Sequence, residues 1–483
     1  MTQPHLPNRV RWLYGFGSVA YGVKDNGFSY FLMFYYNQVL DLPGSLAGLA
    51  ILIAMIFDAA TDPVIGFWSD STHSRWGRRH PFMYASALPV AIIYYFLWNP
   101  PVEHLSQFGL FVYLTIGAVL VRQFITLYET PSTSIVAELT EDYDERTRLL
   151  SLRYMFGWAG GIAMALLMWG VLMVAFGIDN QRTFKVYGTI GAVVMFVAIV
   201  ASAAGLHSQI PYLRQPPKRA SYRVSQVFHD VRVTLSNRNF LSLFLAGLFA
   251  AIAAGVGTNF NTYINTHFWE FKPEQVRWIV MSLFVSAALA ANLSPRVTRR
   301  FDKKASALGI YAVSIVFGAA PVVLRLVGWF PENHTPWLFP VMLIHQILEV
   351  TLIIMFGIIQ SSMLADVVEE NEMKTGRREE GLFFAARTFA AKATSGIGAL
   401  FAGVALDLIH FPRSAAPGSV SHDVIFNLGL IYGPSLMIFY FLALWCMTHY
   451  RIGRRDHGDR VQSLADRAAS TNGASEKIRV GGR

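Results

Sequence analysis

Apolar stretches of about twenty residues follow one another along almost the whole chain. Each is long enough to cross the roughly 30 Å hydrocarbon layer of a bilayer as a helix. Within lipid only helices and closed barrels satisfy their own backbone groups, and these runs are continuous rather than alternating, which excludes a barrel. The expected class is therefore an all-α membrane protein. Composition agrees: 53% of the 483 residues are hydrophobic and 15% charged, against about 25% charge in a soluble domain. The one cysteine, Cys446, sits inside the last apolar run and offers no disulfide framework. The opening "MTQPHLPNRVRW" lacks a cleavable-leader pattern, so the first apolar segment is expected to persist.

Hydropathy places spans near 11–39, 45–69, 81–100, 107–137, 152–176, 185–206, 239–264, 275–295, 305–328, 337–365, 382–410 and 423–450. The net charge of +9 raises the question of nucleic acid, but the location of the cations answers it. Loops after even spans hold "SRWGRRHP", "DERTRLLSLR", "RQPPKRASYR", "SPRVTRRFDKK" and "KTGRREE"; loops after odd spans are far poorer in Lys and Arg. The positive-inside rule puts the even loops and both termini in the cytoplasm, and no nucleic-acid partner is expected. The longest hydrophilic connection divides the chain into a first six-helix bundle (1–206), a linker (207–238) and a second bundle (239–450). This division suits transporters built from repeats. A polar tail (451–483) without apolar periodicity is expected to be disordered.

Within this apolar background a few charges stand out. Asp58 and Asp62 in "AMIFDAATDPVIGFW" lie four apart on one helix face. At membrane depth they require a bound cation, a proton or a basic neighbour; the alternative is a helix-end pair facing water. Pro63 frees a backbone carbonyl one turn earlier, a further hard oxygen for Na⁺. Glu129 in "FITLYETPSTS" repeats the pattern before Pro131, and Arg122, seven residues earlier, lies where it would neutralise it. Lys24 and Asp25 are adjacent and expected to point apart rather than bridge. Arg153 either enters the cavity or snorkels to lipid headgroups. Lys392, deep in the eleventh span with Arg387 and Thr388 before it, needs a carboxylate, and the unmatched ones lie in the first half. His345 and Glu349, four apart in the tenth span, form either a proton relay or a mutually satisfied pair, and the second reading is favoured. Asp70 is positioned to meet Arg75, Arg78 or the end of span eleven as a cytoplasmic latch. The plain alternative is that these arginines only set topology.

With these residues in view, the sequence resembles the glycoside–pentoside–hexuronide:cation symporter family, the melibiose-carrier group of the major facilitator superfamily. The resemblance covers most of 12–450. It rests on "YGFG", "DAATDPVIGFWSD", "SRWGRRHPF", "YETP", "ERTRLLSLR" and "KTGRREEGLFFAARTFAAK". It implies a major-facilitator fold, a coupling cation (Na⁺ or H⁺) held by Asp58, Asp62 and Glu129 with help from Thr388, and coupling through Lys392. Glu129 and Arg153 are the solute contacts the resemblance implies; Lys24 and Asp25, a charged pair in the first span, are further candidates for contact with the solute. Two departures accompany it: Gly22 falls opposite the family's sugar-binding aspartate, and Val121, Ile125 and Thr133 replace aromatics of the fourth span. The expectation is a cation-coupled symporter of a bacterial inner membrane, carrying a small solute, most simply a sugar or glycoside. A lysolipid or other amphiphile is the alternative, and a non-transporting sensor or scaffold a more distant one. No zinc-ligand spacing, P-loop or nucleophile elbow points to an enzyme or to a cofactor.

Overall fold

The computed structural model describes residues 6–140, 142–213, 238–301, 303–375 and 380–450, without the side chains of 143, 303, 364–375, 380–391 and 393. Among the described residues the regular structure is helical throughout, with no strand. The helical stretches, in order, are α1 (8–39), α2 (Gly44–Ser71), α3 (His80–Trp98), α4 (Gln107–Leu139), α5 (Asp144–Phe176), α6 (Gln181–His207), α7 (Arg238–Phe268), α8 (Pro273–Arg300), α9 (Lys304–Leu326), α10 (Leu338–Thr375), α11 (Glu380–Leu408) and α12 (His422–Thr448). Among the described residues, α2 to α10 and α12 are long and apolar enough to cross a bilayer. The expected tail 451–483 and most of the linker, 214–237, lie outside the described residues.

Packing falls into two groups. α1 packs on α5 and α6, α2 on α4, and α3 on α4 and α6; α7 packs on α11 and α12, α8 on α10, and α9 on α10 and α12. The groups meet through α2 with α11, α1 with α7 and α5 with α8. Small residues permit these close approaches, as is usual where lipid removes the hydrophobic drive between helices. A Cβ on Gly22 would stand 2.0 Å from the Gly157 carbonyl oxygen. Gly22 is therefore a packing position of α1 against α5, where no side chain fits, and the absence of a sugar-binding aspartate there has a steric cause.

α1 is not a regular helix. Wide π turns at Gly27–Phe31 and Tyr35–Val39 interrupt it. Such turns let successive aromatics face one side. Tyr35 and Tyr36 donate to the carbonyls of Trp98 and Leu97 at 3.2 and 2.8 Å, and Tyr35 stacks on Phe184 at 4.7 Å, pinning this end of α1 to α3 and α6.

The two groups are tied together at the end that carries loop 40–43. Asp407 of α11 accepts from the amides of Gly44 and Ser45 at 2.9 and 2.8 Å. Tyr263 donates to Asn37 at 2.9 Å and Thr262 to the Tyr30 carbonyl at 2.6 Å. Gln38 donates to the Pro412 carbonyl at 3.3 Å.

Candidate functional site

α2 runs unbroken through Pro63, so its two aspartates stay on one face instead of flanking a helix break. That face meets α4 and α11. Asp58 is 2% exposed and fully engaged: Arg122 Nη1 lies 3.1 Å from its Oδ2, Thr126 donates to its Oδ1 at 2.9 Å, and Lys392 Nζ lies 3.2 Å from Oδ2. Lys392 also donates to Asp62 Oδ2 at 2.7 Å. Asp62 is 30% exposed, yet its Oδ1 is buried without a hydrogen-bond partner. One ammonium thus bridges two carboxylates across the boundary between the helix groups, and Asp62 Oδ1 has no hydrogen-bond partner among the described residues. Desolvating these charges is costly, and their mutual attraction offsets it only while all partners are present.

Several expected contacts are redirected. Arg122 neutralises Asp58 on the neighbouring helix, not Glu129 on its own, because the turn from 122 to 129 offers no carboxylate as close as the one α2 presents. Among the described residues no group of three or more acidic, histidine or cysteine side chains is placed to hold a metal ion. Glu129 still contributes to the electrostatic field at Lys392. Its backbone carbonyl accepts from Thr133 at 2.7 Å and from Arg153 at 3.5 Å. Arg153 is buried, donates to Ser132 Oγ, and lies over the rings of Tyr14 and Tyr21 at 6.0 and 5.9 Å. It is a tie between α5, α4 and α1, and not a lipid-facing anchor. Lys24 and Asp25 do bridge, Nζ to Oδ1 at 2.7 Å. The four-carbon stem of the lysine curls back over its neighbour, which an argument from Cβ directions alone overlooks. Asp25 is 56% exposed while Lys24 is buried and adds its charge to the field at Asp58. Val121 and Ile125 are fully buried in the first helix group, so only Thr133 of the three replaced positions is exposed. The side chains of Thr388 and Arg387 lie outside the described residues.

Beside the ion cluster a cavity of about 160 Å³ opens between α1, α2, α7 and α11, lined by Phe28, Ser29, Met55, Thr258, Asn259 and Ser395 among others. Asn259 donates to the Gly255 carbonyl at 2.8 Å, while its Oδ1 is buried and unpartnered. Phe28 joins the two features: it lines the cavity, and the Arg122 guanidinium sits over its ring at 5.0 Å. A pocket with few polar groups on an apolar frame is the usual form of a small-molecule site.

Near the loop that joins α2 and α3, Asp70 meets Arg79 Nη2 at 2.9 Å and Arg78 at 4.0 Å. Glu138 of α4 accepts from Arg78 at 2.6 Å and from Arg79. Arg75 instead lies over the Trp76 ring at 5.7 Å and is not part of this cluster. Arg79, Glu138, Thr126 and Asp407 were not anticipated. Charge inside or at the rim of an apolar run is the signal that Arg79, Glu138 and Asp407 carried, whereas the uncharged Thr126 carried none.

Two helix groups whose shared boundary holds an Asp58–Lys392–Asp62 bridge and an adjoining pocket define a membrane transporter of the major facilitator type, not an enzyme. The chain belongs to the MFS/sugar transport protein family, whose model matches residues 13–454, and within it to the glycoside–pentoside–hexuronide:cation symporter group. It is similar to the putative glycoside/cation symporter YagG of Escherichia coli, 23% identical with 94% of each chain covered. It is also similar to the mouse sodium-dependent lysophosphatidylcholine symporter 1, 24% identical over 95% of this chain and 89% of the relative. In fold it resembles the nucleoside transporter NupG, with a TM-score of 0.60 at 15% identity, covering 92% of this chain and 100% of that one.

Proposed function

We propose that this protein is a twelve-span, cation-coupled symporter for a sugar or glycoside, working by alternating access in a bacterial inner membrane with both termini in the cytoplasm. The observation that carries the reading is the Lys392 ammonium lying on Asp58 and Asp62 at 3.2 and 2.7 Å. It occupies the oxygens that an entering cation would need. Na⁺ suits an all-oxygen site, and Asp62 Oδ1 is the free ligand at which it first arrives; H⁺ is the alternative ion. Once the cation holds the carboxylates, the ammonium is released toward the cavity and the Arg122–Asp58 contact relaxes under Phe28. Cation and solute then each favour the other's binding by the same free energy. Ties between the helix groups gather at the loop 40–43 end, while Asp25 and Asp62 are partly exposed. We read this conformation as closed to the outside.

The pocket volume supports a single sugar ring: an engineered cavity of about 150 Å³ holds one benzene. Ser29, Thr258, Asn259 and Ser395 supply hydroxyls and an amide for hydrogen bonds, and Phe28 an aromatic face. The name of the mouse relative supports a second reading, an amphiphile carrier whose headgroup would take the same pocket. Uptake into proteoliposomes across a panel of labelled glycosides and lysolipids, with Na⁺ and pH gradients imposed separately, tests both. Accumulation of a glycoside driven by the Na⁺ gradient is the expected result; accumulation indifferent to both gradients overturns symport.

A further inference from the structure

A second polar cavity lies wholly within the α7–α12 group. Its volume is about 40 Å³, and its lining includes Asn261 and Asn265 of α7, His345, Gln346 and Glu349 of α10, and Tyr432 of α12, with no residue of α2, α4 or α11. His345 is nine-tenths buried. Its Nε2 lies 2.8 Å from the Phe317 carbonyl, so that nitrogen carries hydrogen and the other, Nδ1, is turned to the cavity. Nδ1 has no hydrogen-bond partner and stands 3.7 Å from Glu349 Oε2. That gap is too long for a direct bond, and the cavity is large enough for a water to span it. Opposite the carboxylate, α9 presents Gly318, where a Cβ would stand 2.7 Å from Glu349 Oε1. The α9 backbone is thus pressed against the acid.

We propose that His345 and Glu349 form a proton-binding site of their own, separate from the carboxylates around Lys392. Polar groups reach this site from α7, α10 and α12. From α12 come the phenols of Tyr432, which lines the cavity, and of Tyr440 close by. α7 contributes the amides of Asn261 and Asn265; α8 and α9 contribute the uncharged Ile279, Gly318, Pro321 and Val322. Arg325, further along α9, is turned to the Pro331 carbonyl at 3.0 Å. No lysine or arginine lines the cavity, so the imidazole is the base available to the acid among the described residues. An ionised carboxylate at membrane depth without a cation is strongly disfavoured. The pair therefore holds one proton, carried on the Glu349 carboxyl with Nδ1 as its acceptor across the cavity, and is neutral in that state. Binding takes one proton from water and forms one O–H bond. Release returns the proton to water and leaves a net negative charge among α7, α9, α10 and α12, which loosens the packing at Gly318. The site does not depend on which ion the Asp58–Asp62 pair carries.

The test is pH-titrated infrared difference spectroscopy of the full chain in lipid nanodiscs, at saturating Na⁺. Wild type is expected to show a protonated-carboxyl band that bleaches as pH rises; Glu349→Gln is expected to lose this band, and Asp62→Asn to keep it. His345→Gln retains the carboxyl but removes its base, and is expected to move the midpoint by about one pH unit, a tenfold change in proton concentration. This second variant decides the matter should Glu349→Gln fail to fold. Spectra of Glu349→Gln that overlay wild type, or a midpoint unmoved in His345→Gln, overturn the proposal.

Discussion

Lys392 reaches Asp62 across 330 positions of sequence and donates to its carboxylate at 2.7 Å. This contact joins the two helix groups and at the same time blocks the oxygens a coupling ion would use. Replacing Lys392 with Gln should free the carboxylates without breaking either group's own packing. The expected outcome is Na⁺ binding retained or tightened in calorimetry of the purified protein, together with at least a tenfold loss of gradient-driven solute accumulation. A variant that loses Na⁺ binding and keeps coupled uptake contradicts the role given to the ammonium.

Arg122 tests whether Asp58 is held by its surroundings or merely placed near them. Its guanidinium touches both Asp58 and the Phe28 ring. Removing one partner of a buried pair costs up to about 3–5 kcal/mol where the other charge is left uncompensated, and less here because Lys392 still lies 3.2 Å from Asp58. Arg122→Ala should therefore lower the melting temperature markedly, and adding Asp58→Asn should restore most of it. Cation-stimulated uptake should stay absent in the double variant. Thermal unfolding followed by intrinsic fluorescence, with uptake in parallel, measures both; non-recovery in the double variant would show that Arg122 acts on something other than Asp58.

What the sequence made legible, and what it did not, follows from the range of the forces involved. Hydropathy and spacing act over twenty residues or fewer, so the spans and the shared face of Asp58 and Asp62 could be read directly. The meeting of Lys392 with the first half also followed, since a lone ammonium in lipid demands a carboxylate. Pair identity depends on helix rotation, which residue spacing alone does not reveal. Arg122 accordingly finds Asp58 on α2 where Glu129 on its own helix was expected, and Val121 and Ile125 turn into the core. The expectation that Lys24 and Asp25 point apart failed for a different reason, the reach of a flexible stem. Asp407 was overlooked because its partners are backbone amides, which carry no side-chain signature.

Arg78 and Arg79 converge on Glu138, and Arg79 also on Asp70, fastening the α2–α3 connection to α4. Glu138→Gln leaves the two guanidiniums without that charge while α2 still carries its aspartates unchanged. The expected outcome is a several-fold lower turnover in solute exchange with Na⁺ affinity within twofold of wild type. A change confined to Na⁺ affinity would place the cluster in ion binding and not in the movement of the helices.

Asp407 bears on the opposite end of α2. Its two carboxylate oxygens take the first two amides of a 28-residue helix, at 2.9 and 2.8 Å. A cap of this kind contributes about 1 kcal/mol, and the favourable end of the helix dipole adds a few tenths to about 1 more. The cap belongs to α11 and the helix to the other group, so it exists only while this end is closed. The neighbouring Gly403 strengthens the dependence: a Cβ there would stand 2.0 Å from the Gly44 carbonyl oxygen, which allows no side chain in the closed arrangement. Asp407→Ala should therefore shift the population toward the outward-open state by roughly five- to thirtyfold, the factor that 1–2 kcal/mol represents. Gly403→Val should shift it further and arrest turnover. A cysteine placed at Thr258 in the pocket, in a background with Cys446→Ser, reports this directly through its reaction with an impermeant maleimide added outside right-side-out vesicles. Both variants should raise the labelling rate over the parent. An unchanged rate in Gly403→Val would mean that α2 and α11 do not separate during transport.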